Sequence, residues 1–89
     1  MVLMCTAKHI IVNCKINDAV DVRCGGPKVL GYDFYVDPDD EIGIIEFIKK
    51  KLKRYGRPLL SIKSHDNEVR KSHLWTKSMI EKCIMENEM

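Results

Sequence analysis

Four cysteines (Cys5, Cys14, Cys24 and Cys83) and three histidines (His9, His65 and His73) are the side chains of this 89-residue sequence best suited to nucleophilic or metal chemistry. A thiolate nucleophile needs a base within hydrogen-bond reach and a third group that orients the base. A Cys–His pair such as Cys14 with His9 lacks a positioned third group and a sequence context for a nucleophile. Zinc sites draw on closely spaced ligand pairs, and no two cysteines here form one, although the histidines could in principle complete a site in space. The carboxylates gather at Asp37, Asp39, Asp40 and Glu41, where helix capping accounts for them. Gly25-Gly26 is followed by Pro27 and a strand pattern, so it is not a phosphate-cradling loop. The sequence therefore predicts no catalytic residue, no metal ligand and no cofactor.

The densest chemical feature is Lys49-Lys50-Lys51-Leu52-Lys53-Arg54-Tyr55-Gly56-Arg57, six cations in nine residues. Such a cluster suits an acidic protein surface, a phosphate backbone or a nuclear-import receptor. It also follows acidic residues at the start of the same segment, the arrangement a helix dipole favours on its own. The net charge of the whole chain is only +2, which argues against a protein that wraps nucleic acid over its entire surface. Lys49, Lys50, Lys51, Lys53, Arg54 and Arg57 are accordingly the candidate partner-binding residues, with a protein partner expected first. RNA or DNA is the alternative partner. Tyr55, His73 and Trp75 would then supply stacking, and Lys63, Arg70 and Lys71 would extend the basic surface. Trp75, however, falls on an apolar stripe, which assigns it to the core.

Composition sets the frame for these side chains. A hydrophobic fraction of 45% and a charged fraction of 31% are those of an ordinary globular domain. The length admits one domain. The first residues, Met1 to Lys8, lack the basic start and long apolar stretch of a secretory signal, and no apolar run approaches the roughly 20 residues of a membrane span. The thiols are thus expected to be reduced, in the cytoplasm or nucleus. Val2, Leu3 and Met4, with Ile84, Met85 and Met89, put apolar residues at both ends. A chain this short gains from a partner, so a homodimer or a heteromeric subunit is a further expectation.

Alternation and turn residues predict the elements. Ile10, Val12, Cys14 and Ile16 alternate with His9, Ile11, Asn13 and Lys15, a strand pattern. Asn17-Asp18 suits a tight turn that would fold this strand back against a second one, Val20–Cys24. Gly25-Gly26-Pro27-Lys28 reads as another turn, followed by a strand over Val29–Val36 with Leu30, Tyr32, Phe34 and Val36 inward. Asp37-Pro38-Asp39-Asp40-Glu41 opens a helix over 41–55, capped by Asp39 or Asp40, with Ile45, Ile48, Leu52 and Tyr55 as its stripe. Gly43 is a poor residue for its first turn, and Gly56 and Pro58 stop it. Leu59–Ser64 reads as a strand, His65-Asp66-Asn67 as a turn, and Ser72–Met85 as a helix with Ser72 as its cap and Trp75, Met79 and Cys83 on its stripe.

The order strand, turn, strand and acid-capped helix from Val20 to Leu52 resembles the first half of a ubiquitin-like (β-grasp) domain, with Leu59–Ser64 in the place of its third strand. The resemblance covers residues 20–64. It implies a helix laid across a small sheet and function through a recognition surface. That surface centres on an apolar residue of the third strand, where Ser61 or Ile62 would fall, but a register slip of one residue swaps the faces, so the surface is not carried over. The chain departs from the family at residues 1–18, which have no counterpart, and at its end, which lacks the Gly-Gly needed for conjugation. The combined expectation is an α+β domain in β-β-β-α-β-α order, its antiparallel or mixed sheet covered on one face by a helix. Its expected role is that of a non-enzymatic interaction module.

Overall fold

The computed structural model describes residues 3–21 and 26–86. It is a three-stranded antiparallel sheet with two helices packed on one face, so the α+β class expected from the sequence holds. The strands are β1 (Met4–Asp21), β2 (Gly26–Val36) and β3 (Leu59–Arg70), in the spatial order β2-β1-β3. The helices are α1 (Glu41–Arg54) and α2 (Lys77–Glu86), each preceded by a short 3-10 turn, at Pro38–Asp40 and Lys71–His73.

The central strand corrects the sequence reading. Residues 9–16 and 20–21 belong to one continuous strand, so there is no hairpin turn at Asn17-Asp18. Those two residues fall in a register irregularity: Lys15 pairs with Val29, and the next pair is Val20 with Pro27. Extra residues on one strand of a ladder form a bulge, which accommodates turn-favouring residues without reversing the chain. The Gly-Gly-Pro-Lys turn is displaced too, since Gly26 already pairs with Asp21. Val22 to Gly25 lie outside the described residues.

β3 is twice the expected length. His65, Asp66 and Asn67 pair with His9, Lys8 and Ala7 rather than turning, because β1 extends down to Met4 and offers them a ladder. Their polarity was compatible with an edge strand, where one side faces water.

Inward-facing β1 residues Ile10, Val12 and Cys14 stand opposite Phe34, Tyr32 and Leu30 of β2. With Val36 they meet Ile44, Ile48 and Leu52 of α1 and Ile80 and Ile84 of α2 in one buried cluster. The helix stripes are thus rotated from those read in the sequence. Ile44 rather than Ile45 opens the α1 stripe, and Ile80 and Ile84 rather than Met79 and Cys83 form that of α2. Trp75 is half-buried and meets Phe34 edge-on, with ring centroids 5.0 Å apart. The caps differ in part. Asp40 takes the N-cap position of α1, as predicted, but without a side-chain hydrogen bond. Asp37 Oδ1 caps the preceding 3-10 turn by accepting from the Asp39 amide at 2.9 Å, and Thr76 Oγ1, in place of the predicted Ser72, accepts from the Met79 amide at 3.4 Å.

Candidate functional site

α1 ends in a Schellman motif. Gly56 takes φ 66°, a left-handed conformation that glycine adopts at little cost. The Gly56 amide donates to the Lys53 carbonyl at 3.2 Å, and the Arg57 amide donates to the Leu52 carbonyl at 2.8 Å. That geometry turns Arg57 back toward the helix, where this motif ordinarily places an apolar contact.

Arg57 is accordingly buried, at 3% exposure, and does not join the basic surface predicted for it. Its Nη1 donates to the Tyr32 hydroxyl at 3.3 Å and to the Ile84 carbonyl. The Ile84 carbonyl lies in the last turn of α2, among the carbonyls that have no partner within the helix. A cation there also faces the negative end of the α2 dipole, which offsets part of the cost of burying it. Arg57 therefore ties the end of α1 to β2 and to the end of α2. The signal was legible: a glycine directly after the C-cap residue marks this motif, and the motif folds the next side chain inward.

Lys51 is also drawn off the surface. Its side chain reaches Glu81 of α2 at 3.1 Å and lies over the Phe47 ring at 5.4 Å from the centroid. The other four candidates, Lys49, Lys50, Lys53 and Arg54, are exposed, and no ion pair engages them among the described residues. At 3.6 residues per turn they straddle the line of α1 directly opposite Ile44, Ile48 and Leu52. They form a cationic ridge along the outside of the domain.

A hollow lies on either flank of this ridge, and Lys49 and Lys53 line both. One, of about 350 Å³, has Leu52, Pro58 and Leu59 as its apolar walls. The other, of about 550 Å³, is lined by Gly43, Phe47, Lys50 and Lys77, with Glu46 as its carboxylate. Gly43 contributes to that space directly, because a side chain there would meet nothing within 4 Å.

The nucleophile and metal candidates are dispersed. Cys14 lies under the helices, where burial pushes its thiol up, with the nearby Arg57 charge pulling weakly the other way. His9 lies on the opposite face of the sheet, stacked on Tyr35 at 4.4 Å between centroids and 3.0 Å from Asp33. The sheet itself thus separates Cys14 from His9. His65 stands across from His9 on β3. Among the described residues no three His, Cys, Asp or Glu side chains gather as a metal site. No described helix is long and apolar enough to cross a membrane. No protein-family model, curated protein or solved structure matches the chain.

Proposed function

We propose that this chain is a non-enzymatic protein-interaction module, a small subunit or adaptor of a cytoplasmic or nuclear assembly, that binds an acidic partner surface through the outer face of α1. The observation that carries the reading is the ridge of Lys49, Lys50, Lys53 and Arg54, exposed and unpaired among the described residues. Unpaired cations on one face attract an acidic partner over roughly a Debye length, about 8 Å at physiological salt. The ubiquitin-like resemblance supports the same reading, since that family works through recognition surfaces. The apolar walls of the Leu52–Pro58–Leu59 hollow beside the ridge favour a protein over a phosphate backbone, which offers no apolar side chain to fill it.

Nucleic acid is the second reading, and the uncovered sheet face supports it. His9 and Tyr35 are stacked there, and Lys63 is exposed beside them. Poly-glutamate and an oligothymidylate, titrated with increasing salt, separate the two readings. We expect poly-glutamate binding that weakens with salt and falls at least tenfold on joint substitution of Lys49, Lys50, Lys53 and Arg54 by Gln, with unchanged circular dichroism. Unchanged binding would reduce the ridge to a solvated helix face. Preferential oligothymidylate binding, with log affinity falling by about 0.7 per phosphate neutralised for each unit of log salt, favours the nucleic-acid reading.

A further inference from the structure

The two hollows and the ridge between them describe the partner more closely than charge alone does. Resting on the protein-binding reading above, we infer that α1 is crossed by a short, extended acidic peptide segment with two apolar anchor side chains. One anchor enters the Leu52–Pro58–Leu59 hollow, and the other enters the Gly43–Phe47 hollow. The carboxylates between them meet Lys49 and Lys53, which border both hollows.

Charge complementarity selects this occupant. The Gly43–Phe47 hollow sets Lys49, Lys50, Lys53 and Lys77 against the single carboxylate of Glu46. Lys77 also lies 5.9 Å from the Phe47 ring centroid, so the aromatic wall is itself flanked by charge. A purely apolar segment would leave these ammonium groups without a counter-charge, and a purely acidic one would leave the hollows unfilled. Leu59 at 36% exposure is an apolar side chain that water now covers in part. Covering it adds affinity in proportion to the area removed from water.

Geometry sets the spacing. The hollows lie on either side of the Lys49–Lys53 row and are offset along α1, with Gly43 and Phe47 toward its start and Leu52 and Gly56 at its end, about 10–15 Å apart at about 1.5 Å per residue. An extended segment advances about 3.3 Å per residue, so its two anchors stand four or five residues apart. Specificity then comes from the pair of anchors, and the attraction that brings the segment in comes from the charges.

The probes are a nine-residue peptide with Leu-Glu-Glu-Glu-Leu at its centre and its Ala-Glu-Glu-Glu-Ala counterpart, measured by calorimetry or fluorescence anisotropy against the full chain. We expect the leucine peptide to bind at least tenfold tighter. Gly43→Leu should remove most of that gain and leave the alanine peptide unaffected. This variant fills the hollow from an open helix position and replaces a glycine that disfavours the helix, so it folds. Leu59→Gln provides the matching test of the other hollow. If both peptides bind equally and weaken with salt, the anchors are overturned while the acidic-partner reading stands. If the leucine gain survives in both variants, the anchors sit elsewhere and the inference is wrong. If neither peptide binds and an oligothymidylate does, the inference and the reading beneath it fall together.

Discussion

On the helix-covered face of the sheet, β1 presents Ile10, Val12 and Cys14, all fully buried, whereas on the other face the same strand presents His9, Ile11 and Asn13, all partly exposed. The covered face is closed by aliphatic and aromatic side chains from four elements. The uncovered face is organised by cross-strand polar pairs instead: His9 with Asp33, His9 on Tyr35, and the Asn13 amide donating to the Ser61 hydroxyl at 3.2 Å. Hydrophobic burial therefore carries the stability of the fold on one side. On the other, pairs worth about 0.2–1 kcal/mol each hold the surface in register. Strand alternation alone produces both patterns, since consecutive residues point to opposite faces.

The sharpest way to break this contrast is a charge at neighbouring positions. Val12→Asp buries an unpaired carboxylate and should abolish the folded state, because its cost rivals the whole stability of about 5–15 kcal/mol expected of a domain. Ile11→Asp should change stability by no more than about 1 kcal/mol. Urea titrations followed by circular dichroism compare the two, and equal losses would erase the distinction between the faces.

The next largest effect concerns Arg57, the one buried charged side chain among the described residues. Arg57→Leu removes the donor to the buried Ile84 carbonyl, together with the hydrogen bond to Tyr32, and should destabilise by about 1–3 kcal/mol. Affinity at the ridge, measured on the folded fraction, should be unaffected. A loss of binding without a loss of stability would return Arg57 to the recognition surface.

Ser64 sharpens the contrast in the opposite direction. It stands opposite Ile10, and its hydroxyl oxygen is buried without a hydrogen-bond partner. Ser64→Ala removes that unsatisfied group and should stabilise by up to about 1 kcal/mol, read as a higher melting temperature. A loss of 1 kcal/mol or more would mean that the hydroxyl is engaged.

The smallest effect lies at the border of α1 and the sheet. Lys8 reaches Asp66 at 2.5 Å and Glu41 at 3.8 Å, and its ammonium is held above the ordinary value of 10.5, chiefly by the hydrogen bond to Asp66. A raised value in the folded chain gives stability that is complete below pH 10.5 and is lost as pH rises through the folded value. A slight fall in melting temperature above that pH is expected, and Asp66→Asn should flatten it. An unaltered slope in that variant would remove Lys8 from the account.

Much of this was legible in the sequence where a local rule fixed the outcome. The α1 helix is bounded by acidic residues on one side and Gly56 on the other, and it was read to within a residue of its end. The inward set Leu30, Tyr32, Phe34 and Val36 followed from alternation. What the sequence concealed was set by distant partners. Nothing local says that His65, Asp66 and Asn67 continue a strand, since their ladder is made by residues near position 8. Asn17-Asp18 has turn chemistry, and a long ladder with β2 absorbed it as a bulge. At the candidate site, the cation density of α1 was visible, and so was the glycine that turns Arg57 inward. The pairing of Lys51 with Glu81 depended on how α2 docks, which no local pattern states.

The central position of β1 also dictates an order of events. Its ladder with β2 joins residues as near as Asp21 and Gly26, whereas its ladder with β3 joins residues as far apart as Met4 and Arg70. A hairpin of the first kind closes in about 1–10 μs, while pairings across long stretches of chain are slow because they restrict much more of it first. The early hairpin exposes the apolar face of Ile10, Val12, Tyr32 and Phe34 with one edge of β1 unpaired, the state from which chains stick to one another. Refolding yield should therefore fall with protein concentration even though the finished domain is stable, and substitutions at Phe34 should slow folding more than those at Val69.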